Sequence, residues 1–138
     1  MNPITILLAE DHKIVREGLR DLLKLETDFK VIGEAEDGRQ AVAFANKLHP
    51  DVIVMDMAMP VLNGLEATRQ IMKAEPNSRI LVLSSHGDDA YIDQARAYGS
   101  SGYLVKQTDI HLLPKAIRDV FSNSPFVCPS RPARVAGP

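Results

Sequence analysis

Short runs of apolar residues alternate along the chain with longer segments in which apolar residues recur every three or four positions. The runs predict five β-strands, the last of them the weakest, at residues 4–9, 31–32 with their flanks, 52–55, 80–83 and 102–105. Polar or turn-forming residues bound each run, and the runs show no alternation of polar and apolar positions. Such runs are typical of strands that are covered on both faces.

The longer segments have the spacing of amphipathic α-helices. They contain the sequences HKIVREGLRDLLKLE, GRQAVAFANKLHP, NGLEATRQIMKAEPN and DDAYIDQARAYG, and a last helix is predicted over about residues 109–122. In the first segment the predicted apolar stripe consists of Ile14, Val15, Leu19, Leu22 and Leu23. Asn63 is predicted to cap the third helix, because its side chain can accept a hydrogen bond from a free N–H of the first turn.

Strands that alternate with helices predict an α/β fold with a parallel sheet. With five βα units, we expect a five-stranded parallel sheet with strand order 2-1-3-4-5 and helices on both faces. After Ser122 the composition changes, since residues 122–138 hold four of the nine prolines and show no periodicity. We therefore expect one domain over residues 1–122, followed by a linker or flexible tail over residues 123–138.

The composition excludes several classes of protein. The chain has 138 residues, 45% of them hydrophobic and 25% charged, which is enough for a buried core and unlike a disordered segment. A net charge of −2 argues against nucleic-acid binding by bulk electrostatics. The single cysteine cannot form an internal disulfide, which favours a reducing cytoplasm. No apolar run is long enough to span a membrane, and the N-terminus lacks the basic region of a signal peptide.

Polar side chains follow four of the five predicted strands. Glu10 and Asp11 follow the first strand, Asp56 the third, Ser84 the fourth and Lys106 the fifth. In an open parallel sheet the carboxyl ends of the strands share one edge, and the order 2-1-3-4-5 reverses between strands one and three. We therefore expect the three carboxylates to lie side by side at this point, flanked by the serine and the lysine.

The chemistry of this set favours phosphoryl transfer onto a carboxylate. Three neighbouring carboxylates repel one another unless a cation joins them, and oxygen ligands suit Mg²⁺. A metal ion and a lysine would neutralise the phosphoryl oxygens while Asp56 attacks as the nucleophile. Each residue taken alone has a simpler explanation, because helix capping accounts for Glu10 and Asp11 and turn formation accounts for Asp56.

Other sites fit the sequence less well. No GxxxxGK[ST] or GxGxxG motif occurs, and DMAMP does not match the DxDxT pattern of haloacid-dehalogenase-type phosphatases. A magnesium-dependent hydrolase acting on other molecules would need a substrate pocket, which nothing in the sequence indicates. The histidines show no metal-ligand spacing and are expected at the surface or in loops: His12, His49, His86 and His111.

As a set, these motifs closely resemble the receiver domain of two-component response regulators, over roughly residues 3–122. ILLAEDH resembles the acidic pair of that family, DVIVMDMAMPVLNGLE its phosphoacceptor loop and GSSGYLVKQ its last strand. The resemblance implies the flavodoxin-like or CheY-like (βα)5 fold, with Asp56 as the phosphoacceptor. It also implies that Mg²⁺ is the cofactor, with a metal site formed by Glu10, Asp11, Asp56 and the backbone carbonyl of Ala58.

The same resemblance assigns the remaining site residues. Ser84 matches the switch Ser/Thr of the family, Tyr103 its switch aromatic and Lys106 its essential lysine. Packing within a strand is the alternative role for Tyr103. Many receivers have a proline after the lysine, whereas Gln107 stands there in this sequence. A cis peptide bond before a residue other than proline costs about 2.5–4 kcal/mol, so that feature of the family is not expected.

The details are most similar to the branch with a C-terminal LuxR-type helix-turn-helix, also called NarL-like. ILLAEDHKIVREGLRDLL and NSRILVLSSHGDD resemble this branch, and FSNSPFVCPS resembles the start of its interdomain linker. The chain is then the receiver half of a larger transcription regulator or a stand-alone receiver, and DNA binding would require a C-terminal domain that is absent here.

The resemblance also implies how the receiver works. Phosphorylation by a sensor histidine kinase is expected to change the surface of the fourth helix, fifth strand and last helix, leading to homodimerisation or release of an output domain. Self-phosphotransfer and slow self-dephosphorylation are the only catalytic activities expected, so the chain is not predicted to be an enzyme. The alternative function is a receiver-like interaction module that is independent of phosphorylation.

Overall fold

The computed structural model describes residues 2–131. The strands are β1 (Ile4–Ala9), β2 (Phe29–Ala35), β3 (Val52–Asp56), β4 (Ile80–Ser84) and β5 (Gly102–Val105). The α-helices are α1 (Lys13–Lys24), α2 (Gly38–Leu48), α3 (Gly64–Ala74), α4 (Asp89–Ala97), α5 (Lys106–Asp109) and α6 (Leu113–Phe121). A 3-10 turn, Ile110–Leu112, joins α5 to α6. In this part of the chain no helix is long and apolar enough to cross a membrane.

The five strands form one parallel sheet in the order β2-β1-β3-β4-β5, which confirms the predicted fold. β1 pairs with β3 from Ile6 opposite Val52 to Ala9 opposite Met55. The strand order reverses at β1, because β2 lies on one side of this strand and β3 on the other. The carboxyl ends of β1 and β3 therefore border the crevice where open parallel sheets bind ligands.

The strands β1, β3, β4 and β5 are buried on both faces of the sheet, whereas most of the edge strand β2 is half-buried. Successive side chains of a strand point to opposite faces, so Leu7 and Ile53 belong to the core beneath α2, α3 and α4. Ile6 and Val54 belong to a second core beneath α1 and α6. All five positions of β3 are buried, and full burial of one such apolar side chain contributes about 1.5–3 kcal/mol. The carboxylate of Asp56 therefore stands at the end of a firmly held strand.

The predicted apolar stripe of α1 is wrong at its first two positions. Ile14 and Val15 are 80% and 43% exposed, whereas Leu19 is buried. Arg16 takes the inward position at this end of the helix, where its guanidinium donates to the backbone carbonyl of Glu10 at 2.8 Å. The face of α1 that points inward is thus determined by the hydrogen bond of Arg16 as well as by hydrophobic side chains.

The last helix begins later than predicted. In place of one helix from Asp109 to residue 122, the chain forms the short helix α5, the 3-10 turn and then α6. Pro114 lies in the first turn of α6, where its missing N–H costs nothing. The prediction fails because the Asp109 side chain is buried and accepts a hydrogen bond from the N–H of Val105, which tightens the turn before α6.

The residues after α6 return along the outer edge of β5. Val127 forms an isolated parallel bridge with Gly102, and Cys128 is buried in the core beneath α2, α3 and α4. This stretch, residues 124–131, is part of the predicted linker or tail. The final part of the predicted tail, residues 132–138, lies outside the described residues.

Candidate functional site

An ammonium group joins two carboxylates at the carboxyl edge of the sheet. The Nζ of Lys106 lies 2.7 Å from Oδ1 of Asp56 and 3.0 Å from Oε1 of Glu10. The side chains of Asp56 and Glu10 are 4% and 0% exposed, so both charges are held away from water. Glu10 and Lys106 are 96 positions apart in sequence and meet because β1 and β5 end at the same edge.

The two carboxylates respond differently to this environment. Burial raises the pKa of Asp56 from 3.8 to about 6, and the charge of Glu10 adds to this effect while Lys106 opposes it. Burial also opposes the charge of Glu10, but hydrogen bonds from the N–H of His12 and from Lys106 lower its pKa to about 2. The site therefore keeps Glu10 ionised and makes Asp56 the more basic of the two carboxylates.

The lysine remains charged between these two acids. Burial disfavours the ammonium form of Lys106, but its hydrogen bonds with Asp56 and Glu10 outweigh burial and raise its pKa above the usual value. Its side chain is 26% exposed and is therefore only partly shielded from solvent. A fixed positive charge thus stands beside the carboxylate with the raised pKa.

Asp11 supplies a buried carboxylate oxygen at the same edge of the sheet. Among the described residues its Oδ1 accepts no hydrogen bond, and the imidazole Nδ1 of the exposed His12 lies 3.3 Å away. Candidate ligand atoms of Glu10, Asp11 and His12 lie within 4.8 Å of one another. A buried oxygen without a partner is costly, and a cation would satisfy it. Within this group the carboxylate oxygens of Glu10 and Asp11 fit a hard divalent ion such as Mg²⁺, whereas Asp56 is not among the residues of the group.

The loop after Asp56 is held against the site by the start of α3. A Cβ added to Gly64 would collide with the backbone oxygen of Asp56, so only glycine fits there. The N–H of Gly64 donates to the carbonyl of Met57 at 2.8 Å. Asn63 accepts a hydrogen bond from the first turn of α3 at 2.9 Å, which confirms its predicted capping role. Ala58, whose carbonyl is the expected metal ligand, is exposed in this loop.

Ser84 and Tyr103 contact the same residue of the loop that follows β4. The buried Oγ of Ser84 accepts a hydrogen bond from the N–H of His86 at 3.0 Å. Tyr103 is fully buried, and its hydroxyl donates to the carbonyl of His86 at 2.6 Å. The ring of His86 stacks on Tyr91 of α4, with ring centroids 4.4 Å apart. His86 therefore connects the ends of β4 and β5 with α4.

Sequence reasoning missed three residues that support the site. It expected His86 at the surface or in a loop, where the structure has it, but did not connect it with Ser84 and Tyr103, and it gave no role to Arg16 or Asp109. Arg16 binds the carbonyl of Glu10, and Asp109 binds the N–H that precedes Lys106. The signal for Arg16 was a charged residue at the inward spacing of an amphipathic helix, whereas no local pattern marked the other two.

Comparison with known proteins covers most of the chain. The family model for the response regulator receiver domain matches residues 6–118. The chain is 40% identical over 128 residues to the transcriptional regulatory protein DegU of Brevibacillus brevis, covering 93% of the chain and 54% of DegU. The chain thus spans about half the length of the curated relatives that it matches.

Solved structures agree with this match. A two-component response regulator of the LuxR family from Aurantimonas sp. SI85-9A1 has a TM-score of 0.88 and 34% identity, covering 93% of this chain and 91% of that one. The isolated REC domain of RcsB from Salmonella enterica serovar Typhimurium, in the presence of phosphomimetic BeF3−, has a TM-score of 0.83 and 27% identity. That likeness covers 94% of this chain and 96% of that one. The resemblance drawn from the motifs is confirmed.

Proposed function

The chain belongs to the response regulator receiver domain family, and from this premise we propose that Asp56 is the residue that accepts the phosphoryl group. The chain is a receiver domain of two-component response regulators, from a family of transcriptional regulators rather than of typical enzymes. One observation carries the assignment of Asp56. It is the buried carboxylate whose Oδ1 lies 2.7 Å from the ammonium group of Lys106 and whose pKa is raised.

A sensor histidine kinase is the proposed phosphodonor. An oxygen of Asp56 attacks the phosphorus of a phosphohistidine, the P–N bond breaks, and the imidazole leaves with the bonding electrons and takes a proton from solvent. Asp56 must be ionised to attack, and a pKa of about 6 leaves it mostly ionised at neutral pH. Lys106, already beside Asp56, pairs with a phosphoryl oxygen as negative charge develops there.

The proposed metal site consists of Glu10, Asp11, Asp56 and the carbonyl of Ala58, with Asp11 as a direct ligand. When bound, Mg²⁺ neutralises charge on the phosphoryl oxygens. The buried Oδ1 of Asp11, which accepts no hydrogen bond within residues 2–131, supports this assignment. Glu10 already accepts hydrogen bonds from Lys106 and from the N–H of His12, so we propose that it mainly supports the ligands around it.

Ser84, His86 and Tyr103 are the proposed switch. The Oγ of Ser84 accepts from the N–H of His86, and its hydroxyl would rotate to donate to a phosphoryl oxygen. Movement of Ser84 toward Asp56 would shift His86 and thereby Tyr103, whose hydroxyl binds the same residue. This repacking would change the surface of α4, β5 and α6, a two-state element biased by local charge.

The output of this switch would involve a domain beyond the receiver. We propose residues 1–122 as the receiver unit, with the following segment leading to a LuxR-type helix-turn-helix domain. Homodimerisation on phosphorylation and release of that DNA-binding domain are the proposed outcomes. The receiver itself would perform only self-phosphotransfer and slow self-dephosphorylation, and its cytoplasmic location remains a prediction.

Phosphorylation with a small donor tests the assignment of Asp56. The protein is incubated with Mg²⁺ and acetyl phosphate, and its intact mass is compared with that of Asp56→Asn and of the control Asp21→Asn, which removes an exposed carboxylate of α1. We expect one phosphoryl group on the wild type and on the control, and none on Asp56→Asn.

Beryllofluoride, a non-covalent mimic of the phosphoryl group, tests the switch in the wild type and in the same variants without acetyl phosphate. Amide shifts are expected to spread from Asp56 to Ser84, His86 and Tyr103 in the wild type and to be absent in Asp56→Asn. A wild type that gains no phosphoryl group and shows no Mg²⁺-dependent shifts would contradict the proposal and favour a phosphorylation-independent interaction module.

A further inference from the structure

The outer hydrogen-bonding groups of β5, an edge strand of the sheet, are taken by two different partners. The carbonyl of Val127 accepts from the N–H of Tyr103 at 2.8 Å, and the N–H of Val127 donates to the carbonyl of Ser101 at 3.0 Å. Further along the strand, the N–H of Val105 donates to Oδ2 of Asp109 at 2.9 Å. Because open groups on an edge strand invite wrong pairing, these two partners protect the edge that leads to the site.

Asp109 joins three parts of the chain. Its carboxylate is buried in the turn that begins with Lys106, and besides the N–H of Val105 it accepts hydrogen bonds from the hydroxyls of Thr108 and Ser130. A buried carboxylate needs such donors to offset its loss of water. The donors come from the end of β5, from the turn itself and from the C-terminal segment, which we define as residues 126–131.

Contacts before and after Ser130 in the chain hold the C-terminal segment in place. Before the serine, the missing side chain of Gly102 allows close approach, since an added Cβ would lie 2.8 Å from the carbonyl oxygen of Val127. After it, the guanidinium of Arg131 binds Asp89 and Asp93 of α4 at 3.1 and 2.6 Å. The hydroxyl of Ser130 is therefore held over Asp109 by contacts to β5 and α4.

We propose that Asp109 is a positioning residue for Lys106 and that Ser130 of the C-terminal segment holds Asp109 in place. The inference rests on the proposed role of Lys106 in phosphoryl transfer. Val105 directly precedes Lys106, so a fixed N–H at Val105 sets the direction in which the lysine side chain leaves the strand. Gln107 follows the lysine, so no proline ring restrains this turn, and the Asp109 carboxylate restrains it instead.

This arrangement links the phosphoryl site to the chain that leaves the domain. A force on the C-terminal segment would act through Ser130 on Asp109, and from there on the turn that carries Lys106. Displacement of a catalytic group by about 1 Å costs on the order of a hundredfold in rate, so a smaller displacement is still measurable. Attachment or docking of an output domain would thereby alter the rate at which the receiver takes phosphate.

Three variants of the intact chain test the inference: Asp109→Ala, Asp109→Asn and Ser130→Ala. The controls are Asp119→Ala, which removes an acid paired with a surface lysine, and Ser124→Ala, which removes an exposed serine of the same region. Phosphorylation by acetyl phosphate with Mg²⁺ is followed by intact mass. The 15N resonance of the Lys106 ammonium group and the amide of Val105 are read without phosphodonor.

We expect Asp109→Ala to slow phosphorylation roughly tenfold and to shift both resonances. The expected loss in rate is smaller than a hundredfold because Lys106 should move by less than about 1 Å. Asp109→Asn keeps an acceptor oxygen for the N–H of Val105, so we expect its phosphorylation rate to remain within about threefold of the wild-type rate. A merely structural role of Asp109 would not require this rescue. Ser130→Ala is expected to slow the reaction about twofold, with a smaller shift of the same sign, since it removes a single hydrogen bond.

Results that contradict this inference differ from results that contradict the proposed function. A folded Asp109→Ala protein with the wild-type rate and an unchanged Lys106 resonance would overturn the inference, and so would Asp109→Asn being as slow as Asp109→Ala. A wild type that takes no phosphoryl group would contradict the proposed function instead. In that case the Lys106 resonance, which is read without donor, still decides whether Asp109 positions the lysine.

Discussion

The hydroxyl of Tyr103 donates a hydrogen bond to the backbone carbonyl of His86 at 2.6 Å and so fastens β5 to the loop that follows β4. The N–H of the same histidine donates to Oγ of Ser84 at 3.0 Å. The loop is therefore held from two neighbouring strands through the peptide groups of one residue. A movement of Ser84 can therefore reach Tyr103 through the peptide groups of His86.

Removal of the Tyr103 hydroxyl should loosen this loop while leaving the core intact. Tyr103→Phe keeps the buried ring but loses the hydrogen bond to His86, so we expect the free energy of unfolding to fall by about 1 kcal/mol. Urea denaturation measures this loss, and hydrogen exchange of the amides of residues 85–88 should become faster. The control Tyr98→Phe removes a hydroxyl with one weak bond to an exposed side chain and should change neither quantity. Equal protection in both variants would contradict the prediction.

The buried Asp56 should make the protein less stable as the pH rises. Because folding raises its pKa from 3.8 to about 6, the folded state binds more protons than the unfolded state between these values. The stabilisation from the protonated acid is therefore present below 3.8 and is lost as the pH rises through about 6. Without Mg²⁺, Asp56→Asn should exceed the wild type in stability by roughly 1–3 kcal/mol near neutral pH.

Urea denaturation at neutral and acidic pH checks this sign. The advantage of Asp56→Asn should shrink toward pH 4, where the wild-type carboxyl is protonated in the folded state. Folded Glu10 stays ionised over this range, because its pKa is about 2 in the wild type and loss of the Asp56 charge would favour the ionised form further. A difference that stays constant over this range would show that Asp56 does not titrate as described.

Loss of the lysine should leave two buried carboxylates without their cation. Lys106→Met keeps much of the side-chain volume but removes the ammonium group between Glu10 and Asp56, so we expect a loss of about 2–4 kcal/mol in stability without metal. Mg²⁺ should restore more stability to this variant than to the wild type, because the ion supplies the missing charge. Phosphorylation by acetyl phosphate should slow on the order of a hundredfold.

Thermal denaturation with and without Mg²⁺ measures the effect of the lysine. The matched control is Lys115→Met, which removes an ammonium group paired with Asp119 at the surface and should cost at most about 1 kcal/mol. If Lys106→Met and Lys115→Met lose equal stability, the bridge between the carboxylates contributes little to the fold.

Replacement of two glycines by alanine should change the stability of the protein in opposite directions. Gly64→Ala places a Cβ against the backbone of Asp56 and should cost about 1–3 kcal/mol, because neither backbone segment can move easily. Gly18→Ala adds a Cβ with no atom within 4 Å in the middle of α1, and should stabilise the protein by about 0.5–1 kcal/mol. Chemical denaturation of the two variants provides the comparison. A stable Gly64→Ala protein with wild-type phosphorylation would show that the loop is less constrained than the structure indicates.

The fold could be predicted from the sequence because its signals are local. The runs that form β1, β3, β4 and β5 and the helical spacing between them depend on neighbouring residues, and the alternation of strands and helices selects a parallel sheet. The position of the site followed from the same reasoning, since parallel strands place their carboxyl ends at one edge. Glu10, Asp56 and Lys106 indeed meet there.

The errors arose where a hydrogen bond between residues four to six positions apart outweighs the periodic pattern. Ile14 and Val15 have the right spacing for a core, but Arg16 faces inward because the carbonyl of Glu10 offers it a partner. The last helix was placed too early because Asp109 bonds back to Val105 instead of starting α6. In both cases a buried hydrogen bond outweighs the local preference, and no periodicity in the sequence records such a bond.

The sequence by itself determined the order of the elements, the parallel sheet and the set of acids, serine and lysine at its carboxyl edge, because patterning and strand connectivity suffice for these. Only the tertiary structure decided which carboxylate is the more basic, how His86 joins Ser84 to Tyr103, and where residues 126–131 lie. These features depend on burial and on hydrogen bonds between residues far apart in the chain. Such quantities exist only once the strands have been brought together.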